Sequence, residues 1–213
     1  MTIPSPARRK ASREDRREQL IEATISTIAR RGFAQTTLTD VALAAGVSHG
    51  LVNFHFQTKE KLLAETLLFM SEEYRSNWSS ALDSAGPAPA AQLNALIHSD
   101  FNATICTPDR LAAWCAFWGE AQSRPLYLEE CGANDREYIR INERICQAIV
   151  AEGGYRIDAN RAARVLRVTI EGVWLDLMFS AEPYSKDEAM KTVFFCTAAF
   201  FPKHFDENGL ITR

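Results

Sequence analysis

Three groups of residues have types and spacing suited to chemistry with a partner. The first lies between Thr37 and Phe56. There Asn53 is suited to pairing with an adenine edge, His49 to donating or accepting a hydrogen bond, and Gly50 to a close backbone approach, with Phe54 and His55 following. The hydroxyls of Thr37, Thr39 and Ser48, and Lys59 at the start of a helix, suit phosphate oxygens. The second group, Arg8, Arg9, Lys10, Arg13, Arg16 and Arg17, is dense enough to act as a phosphate-neutralising arm. The third is aromatic: Trp114, Phe117 and Trp118 share one helical stripe, Tyr127 follows, and Glu171 and Trp174 lie further on. Each group also has a plainer reading. Ser48 and Thr58 serve equally as caps, the arm as a solvated tail, and an aromatic stripe as core or dimer seam.

The elements that must position these residues follow from apolar periodicity. Apolar residues recur at three- and four-residue spacing almost throughout and strand signals are nearly absent, predicting an all-α chain of about nine helices. Leu20, Ile21, Thr24, Ile25 and Ile28 predict a first helix from about residue 13 to 31, stopped by Gly32. Thr37, with Asp40 three residues on, opens a short helix that ends at Gly46. Ser48 caps a second short helix through about Phe54, and Thr58 caps a long one beginning at Lys59. Two short helices joined over 45–48 have helix-turn-helix spacing. Gly46 supplies the left-handed turn, and Val41, Val47 and Val52 fill the space between the helices. A major groove ~12 Å wide admits the second of them.

Beyond a breaker at 84–89, helices are predicted over about 89–104, from 108 to 124, from there to about 152, over 158–181, and from a capping box at Ser185 and Glu188 onward. The last two carry surplus apolar residues, including Val165, Leu177 and Val193, expected in part to face a second subunit. The resulting division is 1–58 for the arm and helix-turn-helix head, and 59–213 for a helical body.

Composition narrows the classes of function. The 213 residues are 46% hydrophobic and 24% charged, as expected of a folded soluble protein. The net charge of −3 conceals an asymmetry. Residues 1–59 carry nine Lys and Arg against five Asp and Glu, and the remainder fifteen against twenty-two. No stretch reaches the ~20 apolar residues of a membrane span, and 1–12 lacks a secretory apolar region, so a cytoplasmic protein with no membrane partner is expected. Five cysteines without a C-x-x-C pair suggest reduced thiols, neither a disulfide framework nor a zinc site. Nucleotide, hydrolase and metalloprotease motifs are absent, and the four histidines lack metal-ligand spacing. No enzyme, cofactor or metal is expected.

The residues Gly32-Phe33, Thr36-Thr37, 45–48, Gly50, His55-Phe56 and 59–63 resemble the N-terminal domain of TetR-family repressors. That resemblance makes 1–58 the arm and a three-helix DNA-binding head and 59–213 a helical ligand-binding and dimerisation body, and implies a homodimer spanning two half-sites of a palindromic operator. It would place base and phosphate contacts on Thr37, Thr39, His49, Gly50, Asn53, Phe54, His55 and Lys59. One departure is Asn53, where many relatives carry an aromatic residue.

Further on, Ala113-Trp114-x-Ala116-Phe117-Trp118, then Pro125-Leu126-Tyr127 and Gly172-Val173-Trp174-Leu175, resemble the choline-responsive BetI subgroup. This resemblance implies a repressor of choline uptake or glycine betaine synthesis genes, released by choline or a related quaternary amine. A quaternary ammonium has no N–H to donate and is held by aromatic faces at ~0.5 to 2 kcal/mol each. Trp114, Phe117, Trp118, Tyr127 and Trp174 are the expected faces, with Glu171 or Asp176 as counter-charge. A regulator of the same build answering a drug, lipid or nucleobase is the alternative.

Overall fold

The computed structural model describes residues 6–119, 124–182 and 184–211, with side chains described throughout except at 6–12 and 124. Ten helices are present among them: α1 Pro6–Arg31, α2 Leu38–Ala45, α3 His49–Phe56, α4 Lys59–Ala85, α5 Pro89–Asp100, α6 Pro108–Gly119, α7 Arg124–Glu130, α8 Gly132–Gly153, α9 Ala159–Phe179 and α10 Lys186–Phe200. A short antiparallel hairpin, β1 Phe205–Asp206 with β2 Gly209–Leu210, follows. The all-α architecture matches the expectation, and the differences are local.

The first helix starts seven residues earlier than the apolar pattern predicted. Pro6 fixes the helical φ at the first position, and the Ala, Arg and Lys that follow are strong helix formers. The helix expected from 124 to 152 is two. Cys131 donates its N–H to the Tyr127 carbonyl at 2.8 Å, and α8 restarts at Gly132, a residue with little preference for a helix interior. The helix expected to reach 104 ends at Asp100. Asn102 Oδ1 captures the N–H and hydroxyl of Thr104 at 2.9 and 3.0 Å, offering the backbone an alternative to another helical turn.

Two compact units emerge. The first comprises Met1–Ser71 with Pro108–Cys131, and the second Glu72–Thr107 with Gly132–Arg213. This division by packing differs from the boundary at 58 and 59 drawn on sequence, because α6 lies against α1 and joins the head's unit. In the first unit α1 also packs on α2, and α2 on α3, around Leu20, Ile25, Ile28, Val41, Val52 and Phe56, each 1% exposed or less. Burying each such side chain contributes ~1.5 to 3 kcal/mol. In the second unit α8 packs on α5 and α9, α9 on α10, and α10 on the hairpin. Leu93, Ile149, Val193, Phe194 and Phe205 sit at the centre of its core.

Candidate DNA interface and effector site

The helix-turn-helix is built by its caps. Thr37 Oγ1 accepts the Asp40 N–H at 3.2 Å, and Asp40 Oδ2 accepts the Thr37 N–H at 3.2 Å and its hydroxyl at 2.6 Å. The full reciprocal capping box therefore forms at Thr37 and Asp40, because Asp reaches back as Glu would. The Thr37 bonds and the nearby Arg31, at 3.3 Å, hold the Asp40 carboxyl below its ordinary range. At the other end Gly46 takes φ 66° and ψ 35°, and the Val47 N–H closes on the Ala42 carbonyl at 2.9 Å. Ser48 Oγ then accepts the Leu51 N–H at 3.3 Å and starts α3. Gln19 Nε2 reaches the Ala45 carbonyl at 3.0 Å, tying the turn to α1.

This scaffold buries Val52 and Phe56 of α3 and leaves His49, Gly50, Asn53 and Phe54 exposed. These four are the outward positions expected of a groove-reading helix, and Phe54 offers an apolar face suited to a thymine methyl. His55 is half-buried. Burial first, then the charges of Arg13, Arg17 and Arg16, push its pKa below the ordinary value, so at neutral pH it is an uncharged hydrogen-bonding group. Arg13 lies 5.8 Å over the Phe54 ring, placing part of the basic arm beside α3. The side chains of Arg8, Arg9 and Lys10 lie outside the described residues. Thr39 is exposed. Lys59 Nζ donates to the Ala34 carbonyl at 2.7 Å and lies 5.9 Å over Phe33, so it fastens α4 to the loop after α1 as well as carrying charge.

The predicted aromatic set divides between the two units. In the first, Trp114 stacks on Trp118 at 6.1 Å and meets Tyr127 edge-on at 6.4 Å, while Phe117 is buried against Phe33 at 5.5 Å. In the second, Glu171 pairs with Arg167 four residues earlier, and Asp176 accepts the Tyr184 hydroxyl at 2.6 Å. Trp174 is buried and donates its Nε1 hydrogen to the Asp100 carbonyl at 3.2 Å.

Around Trp174 the second unit holds a cluster that sequence reasoning passed over. The Asp100 side chain is fully buried, with Oδ1 accepting the Tyr74 hydroxyl at 2.7 Å and Oδ2 the Tyr138 hydroxyl at 2.9 Å. The Tyr74 ring lies 5.5 Å from Tyr138 and 6.1 Å from Trp174, and Trp78 lies 5.7 Å from Tyr138. Burial raises the Asp100 pKa to about 7 despite both tyrosine bonds, with the Glu171 charge raising it further. A signal for it existed. Leu93, Leu96, Ile97 and Asp100 share one buried helical face, so the carboxylate sits where an apolar residue was due.

A model of the tetR family of bacterial regulatory proteins matches residues 20–66, and a model of the BetI-type transcriptional repressor C-terminal domain matches residues 89–202. The HTH-type transcriptional regulator BetI of Paraburkholderia xenovorans (strain LB400) is 33% identical over 180 residues, which cover 84% of this chain and 90% of that protein. The chain belongs to the TetR family, with a BetI-type C-terminal domain. These relatives are transcriptional regulators, not enzymes.

Among solved structures, a transcriptional regulator from Pseudomonas aeruginosa PAO1 is 27% identical with a TM-score of 0.74, over 91% of this chain and 95% of that one. A regulator from Saccharomonospora viridis, solved in complex with choline, shares the TetR fold at 20% identity and a TM-score of 0.66, over 84% of this chain and 94% of that one. In this TetR-family chain no described helix is long and apolar enough to cross a membrane.

Proposed function

We propose that this TetR-family regulator represses genes of choline uptake or glycine betaine synthesis, binding a palindromic operator as a homodimer and releasing it when choline or a related quaternary amine binds. The observation that carries this reading is the BetI-type match, which spans 89–202 and so covers most of the second unit. The structure of this fold that holds choline supports the chemistry. In the head, His49, Gly50, Asn53 and Phe54 read base edges, His55 adds an uncharged hydrogen-bonding group, and Thr37, Thr39, Ser48, Lys59 and the arm Arg8, Arg9, Lys10 and Arg13 position the phosphates.

The dimer reading rests on α9 and α10. Val165, Val168, Leu175 and Phe179 are exposed and fall, with Gly172, at alternating three- and four-residue steps along α9, the spacing of a helix–helix seam. Phe195 is 69% exposed on α10. A two-fold axis through such a seam makes the surface its own partner, and two heads of such a dimer read half-sites about 34 Å, one helical turn, apart.

Footprinting on DNA from the chain's own upstream region tests the DNA half of the reading. The expected result is a protected inverted repeat with half-sites about one helical turn, or a multiple of it, apart. Protection of a single unrepeated site, or binding that does not distinguish this DNA from random sequence, contradicts it.

A further inference from the structure

We propose that Asp100, with Tyr74, Tyr138, Trp174 and Trp78, forms a recognition site for a quaternary ammonium, the carboxylate supplying counter-charge and the rings supplying the walls. The proposal rests on the reading of a quaternary-amine effector and says which residues of this chain hold it.

The argument starts from what the buried carboxylate lacks. Each of its oxygens already has a hydroxyl donor. Hydrogen bonds are therefore not what is missing; positive charge is. No Lys, Arg or His pairs with Asp100 among the described residues, and the charge that shifts it is the carboxylate of Glu171, of the same sign. Asp100 also ends α5, where the last carbonyls present the negative end of the helix dipole. A carboxylate fully withdrawn from water at such a place is costly to ionise until a cation joins it.

The surroundings then select the kind of cation. A primary ammonium brings three N–H donors that each need an acceptor. The walls here are ring faces, and the side-chain acceptors within the cluster are limited to the remaining lone pairs of the carboxylate and the two tyrosine oxygens. Trp174 spends its N–H on the Asp100 carbonyl, and the two tyrosines spend theirs on the carboxylate. A trimethylammonium brings charge without donors, leaves the tyrosine bonds in place, and binds on aromatic faces. One polar atom is left over. Trp78 Nε1 is buried and has no acceptor, and its ring rests against Tyr138. A ligand that carries an oxygen beside its trimethylammonium group supplies the acceptor this N–H lacks.

Calorimetric titration of the full chain tests the site, with operator binding in the absence of ligand as the check on folding. Choline is expected to bind the native protein and to lose about 100-fold or more in affinity with Asp100→Asn, the loss expected when a buried charge is deprived of its partner. The uncharged isostere 3,3-dimethyl-1-butanol probes the same charge without any substitution, and is expected to bind the native protein about 100-fold more weakly than choline. Equal affinity of the isostere and choline, or choline binding that survives Asp100→Asn within about threefold, overturns the site while leaving choline as the effector. Binding of tetramethylammonium or glycine betaine, but not choline, with the same dependence on Asp100 supports the site and removes choline. No binding of any quaternary ammonium overturns the site.

Discussion

Asp100 makes a prediction about protons that is separate from any ligand. Its pKa is about 7 in the folded chain against 3.8 for an ordinary aspartate, so between those values the folded state holds a proton that the unfolded state has released. The Asp100 contribution to stability must then rise as pH falls from about 7 toward 4, by a few kcal/mol and about 4 at most, the opposite of an ion-paired carboxylate. His55 and His98, whose pKa values burial lowers, pull stability the other way over the same window, so the Asp100 contribution is the difference between the native protein and Asp100→Asn. Among the groups that interact with Asp100, the Tyr74 and Tyr138 hydroxyls are pushed far above their usual range and the Cys106 thiol is raised, so all three stay protonated. Urea unfolding across this range should show the native protein gaining stability relative to Asp100→Asn as pH falls from about 7 toward 4. An unchanged slope in the variant would assign the effect elsewhere. A cation favours the ionised form, so ligand affinity should rise as pH rises through the same window, with release of a proton on binding.

Among the elements, caps were the most legible part of the chain and tertiary pairing the least. Thr37, Ser48, Asp158 and Ser185 all accept a backbone N–H at the start of the helix that sequence assigned to them, because a cap is a local bond between residues two or three apart. Thr37→Ala removes one side of the box at α2, and about 1 kcal/mol of stability should go with it, whereas Thr37→Ser should retain most of it. Equal losses in an unfolding titration would show that the methyl packing of Thr37 matters and the cap does not. The Asp100 cluster is the reverse case. Tyr74 lies on α4, Asp100 on α5, Tyr138 on α8 and Trp174 on α9, so four helices must converge before it exists. Each residue sits on the buried face of its own helix, which is visible in the sequence, but which faces meet is decided by packing alone. The reverse also holds for Phe117: its spacing placed it with Trp114 and Trp118, and packing turned it toward Phe33.

For the whole molecule, the all-α fold was readable from apolar periodicity along the chain and the family from motifs between 32 and 63, since the helix-turn-helix is a short-range pattern. The division into units was not, because α6 joins the head through contacts distant in sequence. Assembly has its own test. Phe179 is 73% exposed at the end of the α9 seam, a large apolar side chain that a monomer gains nothing by presenting. Phe179→Arg together with Phe195→Arg should convert a dimer to a monomer in sedimentation and weaken operator binding by at least about tenfold, since one head then acts without its twin. A dimer that persists in the double variant would move the interface away from α9 and α10.

On the proposed function, a quaternary amine bound in the second unit empties the operator held by the first. Fluorescence anisotropy of labelled operator, measured while choline is added, tests it most directly. With the native protein the signal should fall to that of free DNA as choline reaches millimolar levels, and with Asp100→Asn the complex should persist. A native complex that millimolar choline leaves intact, or tightens, would contradict the account.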